Sequence, residues 1–567
     1  MPTGSGKSLC YQLPALMRDD LTVVVSPLVA LMQDQVDALR ARGLGDAVGL
    51  VNAQQGSAAN AAVVDRAVAG DLRLLYVAPE RFSSPGFVAR MGEARVGLFV
   101  VDEAHCVSQW GHDFRPDYFR LADAARHLGA AAIVASTATA TTRVALDIAR
   151  RLGLREPLRV ATGFDRPNVS FAVARPAPHE KLPLVTEALR APDALPAIVY
   201  AGTRAGAEEM AGVLTRELGE EAAAYHAGLD RDLRASVQRR FLADEARVIV
   251  ATNAFGMGVD KPNVRTVVHA GTPSSLEAYY QEAGRAGRDG LPARALLLSE
   301  NRDKALHVHF IKREEVDSEL PAALAARLIA AADGDGRYAL EAAELARVVG
   351  GYDRLRALLG HLARAQVILP SPASPDRVVG RLSTAGFDRR AAVACRSSVE
   401  EGARARWRQY REIWAYVEGG RSTDSASVPN PSQCRRRAIL RHFGDNADPG
   451  SRPDGVPCCD VCDQGLVPEL PPPSLEAVAD LDDAIVSVAR SARPAVGRTT
   501  CAEILHGART KKIERNSYDG LPAYGTSSRM RRADILARVD ELIDAGVIAT
   551  SGGPYPVLQV AAGTAAA

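Results

Sequence analysis

Residues 2–8, Pro-Thr-Gly-Ser-Gly-Lys-Ser, have the residue types of a loop that binds the phosphates of a nucleotide. Two glycines let the backbone turn its N–H groups toward a polyphosphate, while the lysine offers a compact charge to the outer phosphates and the last serine can reach Mg²⁺. A short glycine-rich loop also arises by chance, so the rest of the site has to be found elsewhere. The predicted nucleotide ligands of this loop are Thr3, Gly4, Ser5, Gly6, Lys7 and Ser8.

A second candidate element is the apolar run 98–101, which ends in Asp102 and Glu103. Continuous apolar residues are typical of a buried parallel strand, so the two acids should lie at its carboxyl end. Asp102 can hold Mg²⁺ there, and Glu103 can position or deprotonate a water molecule that attacks a phosphate. Two acids after a strand often form an ordinary polar loop, but together with residues 2–8 they favour a nucleotide site.

The phosphate-binding loop normally follows a strand of about five or six residues, and this sequence begins without one. Met1 also stands where the full motif has Gly or Ala. We therefore expect that the first strand of the sheet has been cut away and that the coding sequence continues upstream of Met1. If the truncation is real, the alternative expectation is a nucleic-acid-binding protein without catalysis.

Alternating apolar strands and helical stretches predict two α/β lobes with parallel sheets, followed by smaller domains. A chain of 567 residues is long enough for several domains. The predicted segments are 1–160 for the first lobe without its first strand, 161–315 for the second lobe, 316–385 for a helical and winged-helix-like insert, 386–466 for an Arg-rich helical subdomain with cysteines, 467–480 for a Pro-rich linker, 481–561 for a winged-helix domain and 562–567 for a disordered tail.

The net charge of +1 does not by itself indicate nucleic acid. Positive charge is concentrated in residues 388–441 and 498–532, which favours contacts with phosphates, although basic faces are also common on solvated surfaces. No apolar stretch approaches the roughly 20 residues that span a bilayer, and the N-terminus has no signal-peptide pattern. These features predict a cytoplasmic protein with no membrane partner.

Arg285 and Arg288 stand three residues apart in the segment 281–288, Gln-Glu-Ala-Gly-Arg-Ala-Gly-Arg. At the end of a helix, both side chains can project toward one phosphate. Inserted across a cleft, they would stabilise the charge that develops in phosphoryl transfer, a contribution of roughly 10³–10⁵ in rate. An ordinary basic turn is the alternative, and the preceding segment 251–260, Ala-Thr-Asn-Ala-Phe-Gly-Met-Gly-Val-Asp, weighs against it.

With these segments the sequence resembles the RecQ family of DNA helicases, which are superfamily-2 motors, from residue 2 to about residue 300. The resemblance implies two RecA-like lobes that close on ATP and Mg²⁺, with Asp260 among the nucleotide-binding residues. It also implies 3′ to 5′ movement along single-stranded DNA, unwinding of duplex DNA in repair and recombination, and a single-stranded-DNA-binding protein as a candidate partner. Further matching segments are Ser-Pro-Leu-Val-Ala-Leu-Met-Gln-Asp-Gln at 26–35, Asp-Glu-Ala-His at 102–105, Ser-Thr-Ala-Thr-Ala at 136–140 and Phe-Asp-Arg-Pro-Asn at 164–168.

The most family-specific segment is 105–116, His-Cys-Val-Ser-Gln-Trp-Gly-His-Asp-Phe-Arg-Pro. It resembles the loop that in this family senses single-stranded DNA and couples it to ATP hydrolysis. Trp110 and Phe114 offer stacking faces worth roughly 1–3 kcal/mol per base, and Arg115 offers a cation to a phosphate or base. Packing of the two rings onto the core is the alternative interpretation.

Four of the eight cysteines form a group, Cys434, Cys458, Cys459 and Cys462. The resemblance implies a structural zinc held by one cysteine on a helix and three in a Cys-x-x-Cys-x-x-Cys run. Here two cysteines of that run are adjacent, and the insert before it is longer than usual. Four thiolates suit Zn²⁺, but a three-ligand site and free thiols stay open.

Residues 486–560 resemble the family's winged-helix domain, which binds duplex DNA mainly through phosphates. Arg509, Lys511 and Lys512 are the candidate contacts. Tyr555 in the terminal hairpin is either a strand-separating wedge or a turn residue that packs on its own hairpin. A DEAH-type RNA helicase is the remaining rival, and the aromatic segment, the cysteines and the winged helix weigh against it.

Overall fold

The computed structural model divides the chain into two compact units. One comprises Met1–Ala174 and Pro192–Val467, and the other comprises Arg175–Ala191 and Pro468–Ala567. None of the helices in the described part of the chain combines the length and the apolar character that a membrane span needs. The description covers all residues except 2–5, 53, 109–117, 119, 177–179, 256–260, 318, 372–375, 385, 420–433, 447–448, 464, 471–474, 552–555 and 561–567.

The first lobe is a parallel α/β sheet whose strands carry the predicted nucleotide residues at their ends. Its described elements are α1 (Leu9–Met17), β1 (Leu21–Val25), α2 (Val29–Ala41), β2 (Val48–Val51), α3 (Ser57–Ala69), β3 (Leu74–Val77), α4 (Pro85–Met91), β4 (Val96–Val101), α5 (Leu121–His127), β5 (Ala132–Ala135) and α6 (Thr142–Arg151). The strands pair in parallel in the order β2-β3-β1-β4-β5. All are fully buried except the outer strand β5, where Ala132 is exposed.

The second lobe is also a parallel sheet. Its strands, numbered in sequence order, lie side by side in the order β6-β11-β10-β7-β9-β8. The elements of this lobe are β6 (Val169–Ala174), β7 (Ala197–Tyr200), α8 (Arg204–Leu218), β8 (Ala222–Tyr225), α9 (Arg231–Leu242), β9 (Val248–Ala251), β10 (Thr266–His269), α10 (Leu276–Ala283), β11 (Ala293–Leu298) and α11 (Asn301–Arg313). The two lobes confirm the α/β class that the apolar runs predict.

The segment that follows forms a small antiparallel sheet covered by helices. It contains α12 (Leu320–Ala330), β12 (Arg337–Glu341), α13 (Ala342–Val349), α14 (Tyr352–Arg364), β13 (Ile368–Ser371) and β14 (Arg377–Leu382). The strands pair in the order β12-β14-β13 around a separate core that includes Leu328, Leu345 and Leu358. Helix, strand, two helices and two strands is the order of a winged helix, and we call this segment the insert.

Two further helices, α15 (Arg389–Val417) and α16 (Arg435–His442), pack on the second lobe. Trp414 of α15 and Phe443 after α16 belong to the same buried core as Phe171 of β6. The backbone N–H of Phe171 donates to the carbonyl of Cys458 at 3.1 Å, and the N–H of Asp460 donates back to the carbonyl of Phe171 at 3.1 Å. The cysteine segment therefore pairs with the outer strand of this sheet.

The second unit is built around a helical core with a short hairpin. Its described elements are α7 (Lys181–Arg190), α17 (Leu475–Ser491), α18 (Arg498–His506), α19 (Lys511–Arg515), α20 (Arg532–Asp544), β15 (Ile548–Thr550) and β16 (Leu558–Val560). The hairpin strands are antiparallel, with Ile548 opposite Val560. Helix α17 begins at Leu475, inside the segment that the sequence predicts as linker.

Candidate active site

Lys7 and Ser8 stand immediately before α1. Gly6 precedes them with a φ of 76°, a left-handed conformation that glycine adopts without strain. Ser8 is the N-cap residue of α1, and its side chain makes no capping hydrogen bond. Burial lowers the pKa of Lys7, the carboxylates of Glu103 and Asp102 raise it, and the charge of Arg288 lowers it again. Charged groups from both lobes therefore act on Lys7.

Asp102 follows β4, and its side chain is buried. One carboxylate oxygen, Oδ1, accepts a hydrogen bond from the backbone N–H of Glu103 at 3.0 Å, and Oδ2 accepts one from the hydroxyl of Tyr11 at 3.4 Å. Burial raises the pKa of Asp102 to about 6; the charge of Glu103 adds to this rise, whereas Lys7 opposes it. The sheet thus presents a buried carboxylate beside the start of α1.

Glu103 has a left-handed backbone with a φ of 46°, which is strained for a residue with a side chain. Its Oε2 lies 3.3 Å from Nδ1 of His105, and the same nitrogen lies 3.0 Å from Oγ1 of Thr137. The backbone N–H of Ala104 donates to the carbonyl of Ser136 at 2.9 Å. The acids at 102–103 are therefore joined to the segment 136–140 after β5.

Arg285 and Arg288 lie in the turn that follows α10. Arg285 is buried and Arg288 is half-buried. Burial raises the pKa of Tyr200, the last residue of β7, to about 12, while the charges of Arg285 and Arg288 lower it. Both guanidinium groups thus lie near the end of β7, and Arg288 also acts on Lys7 of the other lobe.

Two residues that sequence reasoning missed hold this turn. Arg166 donates hydrogen bonds to the backbone carbonyls of Gly284 at 2.8 Å and Ala286 at 2.6 Å. The side-chain amide of Asn168 donates to the carbonyl of Gly287 at 2.7 Å. Both belong to the segment 164–168 that carries the family resemblance, but their partners lie about 120 residues away in the sequence, so no local pattern reveals them.

The structure brings the four clustered cysteines together. Sγ of Cys434 lies 3.4 Å from Sγ of Cys458 and 3.9 Å from Sγ of Cys459. The sulfur atoms of these residues and of Cys462 all lie within 4.8 Å of one another. Tetrahedral coordination with metal–sulfur bonds of about 2.3 Å needs sulfur atoms about 3.8 Å apart. The adjacent pair of cysteines therefore fits a four-thiolate site.

The predicted duplex contacts lie at the start of α19. Arg509, Lys511 and Lys512 are exposed, and the side chain of Thr510 caps the helix. The ammonium group of Lys512 also donates to Oγ1 of Thr500 at 2.8 Å. The cationic groups of this helix end therefore face solvent, where a phosphate backbone can reach them.

Several predicted site residues lie outside the described part of the chain, so the structure places none of them. For the nucleotide site they are Thr3, Gly4, Ser5 and Asp260; for the DNA contacts they are Trp110, Phe114, Arg115 and Tyr555.

Three family models match the chain. Residues 1–148 match the DEAD/DEAH box helicase, residues 180–290 match the helicase conserved C-terminal domain, and residues 474–566 match the RQC domain. ATP-dependent DNA helicase RecQ of Haemophilus influenzae is 44% identical over 305 residues, which is 54% of this chain and 48% of that protein. Over these segments the chain is similar to DNA helicases of the RecQ family.

Two further DNA helicases match the chain with different coverage. Probable ATP-dependent DNA helicase RecS of Bacillus subtilis is 41% identical over 320 residues, 56% of this chain and 64% of that protein. ATP-dependent DNA helicase hus2/rqh1 of Schizosaccharomyces pombe is 30% identical over 565 residues, 96% of this chain and 34% of that protein. The chain spans about half the length of the first curated relatives that it matches.

Proposed function

We propose that the chain is an ATP-dependent DNA helicase or translocase that moves 3′ to 5′ on single-stranded DNA and unwinds duplex DNA. The supporting observation is the shared electrostatic environment of Lys7, to which Asp102 and Glu103 contribute from one lobe and Arg288 from the other. A site assembled from both lobes can respond to ATP by a change in lobe position. We place this activity in DNA repair and recombination because the family resemblance implies it, and its cytoplasmic location stays a prediction from the sequence.

In this proposal Lys7 binds the outer phosphates of ATP, and Glu103 positions or deprotonates the attacking water. Arg285 and Arg288 contact the transferring phosphoryl group from the second lobe. The carboxylate of Asp102 and the hydroxyl of Ser8 are hard oxygen donors of the kind that Mg²⁺ prefers, so they would hold the ion. When bound, Mg²⁺ neutralises charge between the phosphates.

For the DNA, the proposal assigns the single strand to the segment with Trp110, Phe114 and Arg115. The duplex is assigned to the C-terminal domain, where Arg509 and the two lysines at 511–512 would contact phosphates. A single-stranded-DNA-binding protein remains a candidate partner on the family resemblance alone.

We further propose that the four cysteines hold Zn²⁺, because a compact set of four thiolates suits this ion. Metal analysis of the purified chain should find about one zinc per chain, and chelation should unfold the subdomain around it. Recovery of a folded, metal-free protein would contradict this assignment.

The activity is tested by ATP turnover of this chain with and without single-stranded DNA. Turnover should rise with DNA and be abolished in Lys7→Ala, whereas retention of turnover in that variant would overturn the site. Trp110→Ala should lose DNA stimulation more than basal turnover. An RNA strand serves as the comparison activator, and stronger activation by RNA would favour the RNA helicase instead.

A further inference from the structure

The segment 164–168 lies between the turn that carries the two arginines and the helix beside the cysteine cluster. It precedes β6 and contacts both structures through its side chains. Its residue types alone indicate no chemical role beyond the family resemblance. Its contacts on each side indicate what it does.

On the side of the turn, Arg166 makes a compact set of hydrogen bonds. One terminal nitrogen donates to the carbonyl of Gly284 at 2.8 Å, and the other donates to the carbonyls of Ala286 at 2.6 Å and Gly287 at 3.1 Å. The residue is only 8% exposed. Carbonyls at a helix C-terminus carry partial negative charge, so a cation at this position stabilises them.

The same turn is tightly fitted against Asn168. Gly287 has a φ of 57°, and a Cβ atom added there would lie 2.5 Å from the side-chain nitrogen of Asn168 and 2.7 Å from the carbonyl oxygen of Leu291. The backbone between Arg285 and Arg288 is thus held by hydrogen bonds and by close packing. A small shift of these backbone atoms would move both guanidinium groups.

On the other side, Asp165 and Phe164 are fixed to the region around α16. The carboxylate of Asp165 forms a two-pronged ion pair with the buried Arg436 and accepts a hydrogen bond from the backbone N–H of Gly450 at 2.9 Å. The ring of Phe164 stacks on Phe443 with a centroid distance of 4.5 Å. Neighbouring residues of one short segment thus contact both the arginine turn and the region of α16 (Arg435–His442).

We propose that Arg166 is a positioning residue for Arg285 and Arg288, and that residues 164–168 form a joint that sets their position from α16. This inference rests on the proposed function, because it requires the two arginines to act on ATP. Because of this joint, the rate of ATP hydrolysis depends on the position of α16 on the second lobe. It leaves nucleotide affinity to Lys7 and the other residues of the first lobe.

The first test is Arg166→Gln in the full chain. Because a displacement of about 1 Å can cost about 10²-fold in rate, kcat for ATP should fall by about that factor. Binding of a fluorescent ADP analogue and KM for ATP should change by less than about 3-fold, since the first lobe is intact. A parallel loss of nucleotide affinity and kcat would show a general structural role and would overturn the proposal.

Arg538→Gln is the matched control for the loss of a bonded arginine. Arg538 forms a two-pronged ion pair with Asp482 in the second unit, with both contacts at 2.7 Å. This variant should lose stability without losing basal kcat. A similar fall of basal kcat in both variants would mean that destabilisation, and not the arginine turn, explains the effect.

The second test separates this inference from the proposed function. If Arg166 acts through the turn, Arg166→Gln should lower kcat by less than about 2-fold in a chain that already carries Arg285→Ala and Arg288→Ala. A further large decrease would show that Arg166 acts by another route. If the two alanine substitutions alone leave kcat unchanged, the proposed function fails, and the positioning role fails with it.

The joint itself is tested by Asp165→Asn, by Arg436→Gln and by their combination. Each single change should lower kcat by about 3- to 10-fold. The kcat of the double variant should be no lower than that of the less active single variant, because each change removes the same ion pair. Normal kcat in both single variants, with the effect of Arg166→Gln retained, would overturn the link to α16.

Discussion

The insert and the C-terminal domain each place helices before a β-hairpin, yet they present different surfaces. In the insert, α14 is the last helix before the hairpin, and its second half packs on α15. Nδ1 of His361 lies 2.9 Å from Oγ of Ser398, and a Cβ atom added to Gly402 would lie 3.3 Å from the ring of His361. In the C-terminal domain, α19 instead exposes its cationic side chains.

Electrostatics separate the two segments as clearly as packing does. Burial, together with the charges of Arg151 and Arg406, lowers the pKa of Arg364 in α14 to about 9. The side chain of Arg364 is half-buried and therefore less accessible to a phosphate than an exposed cation is. At α19, by contrast, Lys511 and Lys512 are exposed. Helices that precede a β-hairpin therefore do not by themselves mark a DNA-binding surface.

The largest effect should come from the exposed cations of the C-terminal domain. Replacing Arg509, Lys511 and Lys512 with Gln should lower the affinity for duplex DNA by about 10- to 100-fold, because each cation removed gives up a phosphate contact. The slope of log affinity against log salt should shrink by about 3. Fluorescence anisotropy at several salt concentrations measures both, and an unchanged slope would place the duplex elsewhere.

The next effect concerns the buried face of α14. Gly402→Leu should lower the free energy of unfolding by about 1–3 kcal/mol, because the new side chain has to displace His361. Affinity for duplex DNA should not change. Urea unfolding followed by circular dichroism measures the first quantity. The control is Gly212→Leu on the exposed face of α8, which should not destabilise the protein.

The pH dependence of this interface provides a third comparison. Burial, together with the charges of Arg364 and Arg406, lowers the pKa of His361 to about 3. Above pH 6.5 the imidazole is neutral in both states, but as pH falls the unfolded chain takes up a proton that the folded chain does not. Stability should therefore be complete above about pH 6.5 and fall by up to about 1.4 kcal/mol per pH unit below it.

Unfolding free energies of the wild type and of His361→Gln between pH 7.5 and 5 measure this effect. The variant should lose stability at pH 7.5 and show a shallower decline at lower pH. Parallel curves for the two proteins would mean that other groups cause the decline.

The smallest effect is expected at the exposed end of α14. Arg356 is highly exposed and 3.9 Å from Asp353. Arg356→Gln should change the affinity for duplex DNA by less than about 2-fold, in contrast to the substitutions at α19. A loss as large as that at α19 would show that both segments bind DNA and would remove the distinction drawn between them.

Strands were the most predictable part of the fold because continuous apolar residues have one compatible environment, the middle of a covered parallel sheet. The apolar run 98–101 lies within β4 (Val96–Val101), a fully buried strand of the first sheet. Short segments whose partners are distant in the sequence were less predictable. The start of α17 within the predicted linker is one example, since Pro471–Pro473 suggested a longer extended stretch.

The residues of the candidate site also fall into two groups, those that belong to a local sequence pattern and those whose role depends on distant partners. Lys7, Asp102 and Glu103 could be predicted because each belongs to a local pattern of residue types with a known chemical use. Arg166 could not, because its role depends on backbone carbonyls of Gly284 and Ala286 that only the folded chain brings near it. Spacing left open whether Cys458 and Cys459 join one cluster, and the structure places both sulfur atoms within 4.8 Å of those of Cys434 and Cys462.

The pairing of Phe171 with the cysteine segment has a consequence for aggregation. The carbonyl of Cys458 and the N–H of Asp460 occupy polar groups of β6, the outer strand of the second lobe. Bare outer strands are templates on which other chains add and form oligomers or fibres. Oxidation or loss of the cysteine cluster would therefore expose unpaired backbone groups of an edge strand that promotes aggregation. Loss of solubility would be an early sign of that damage.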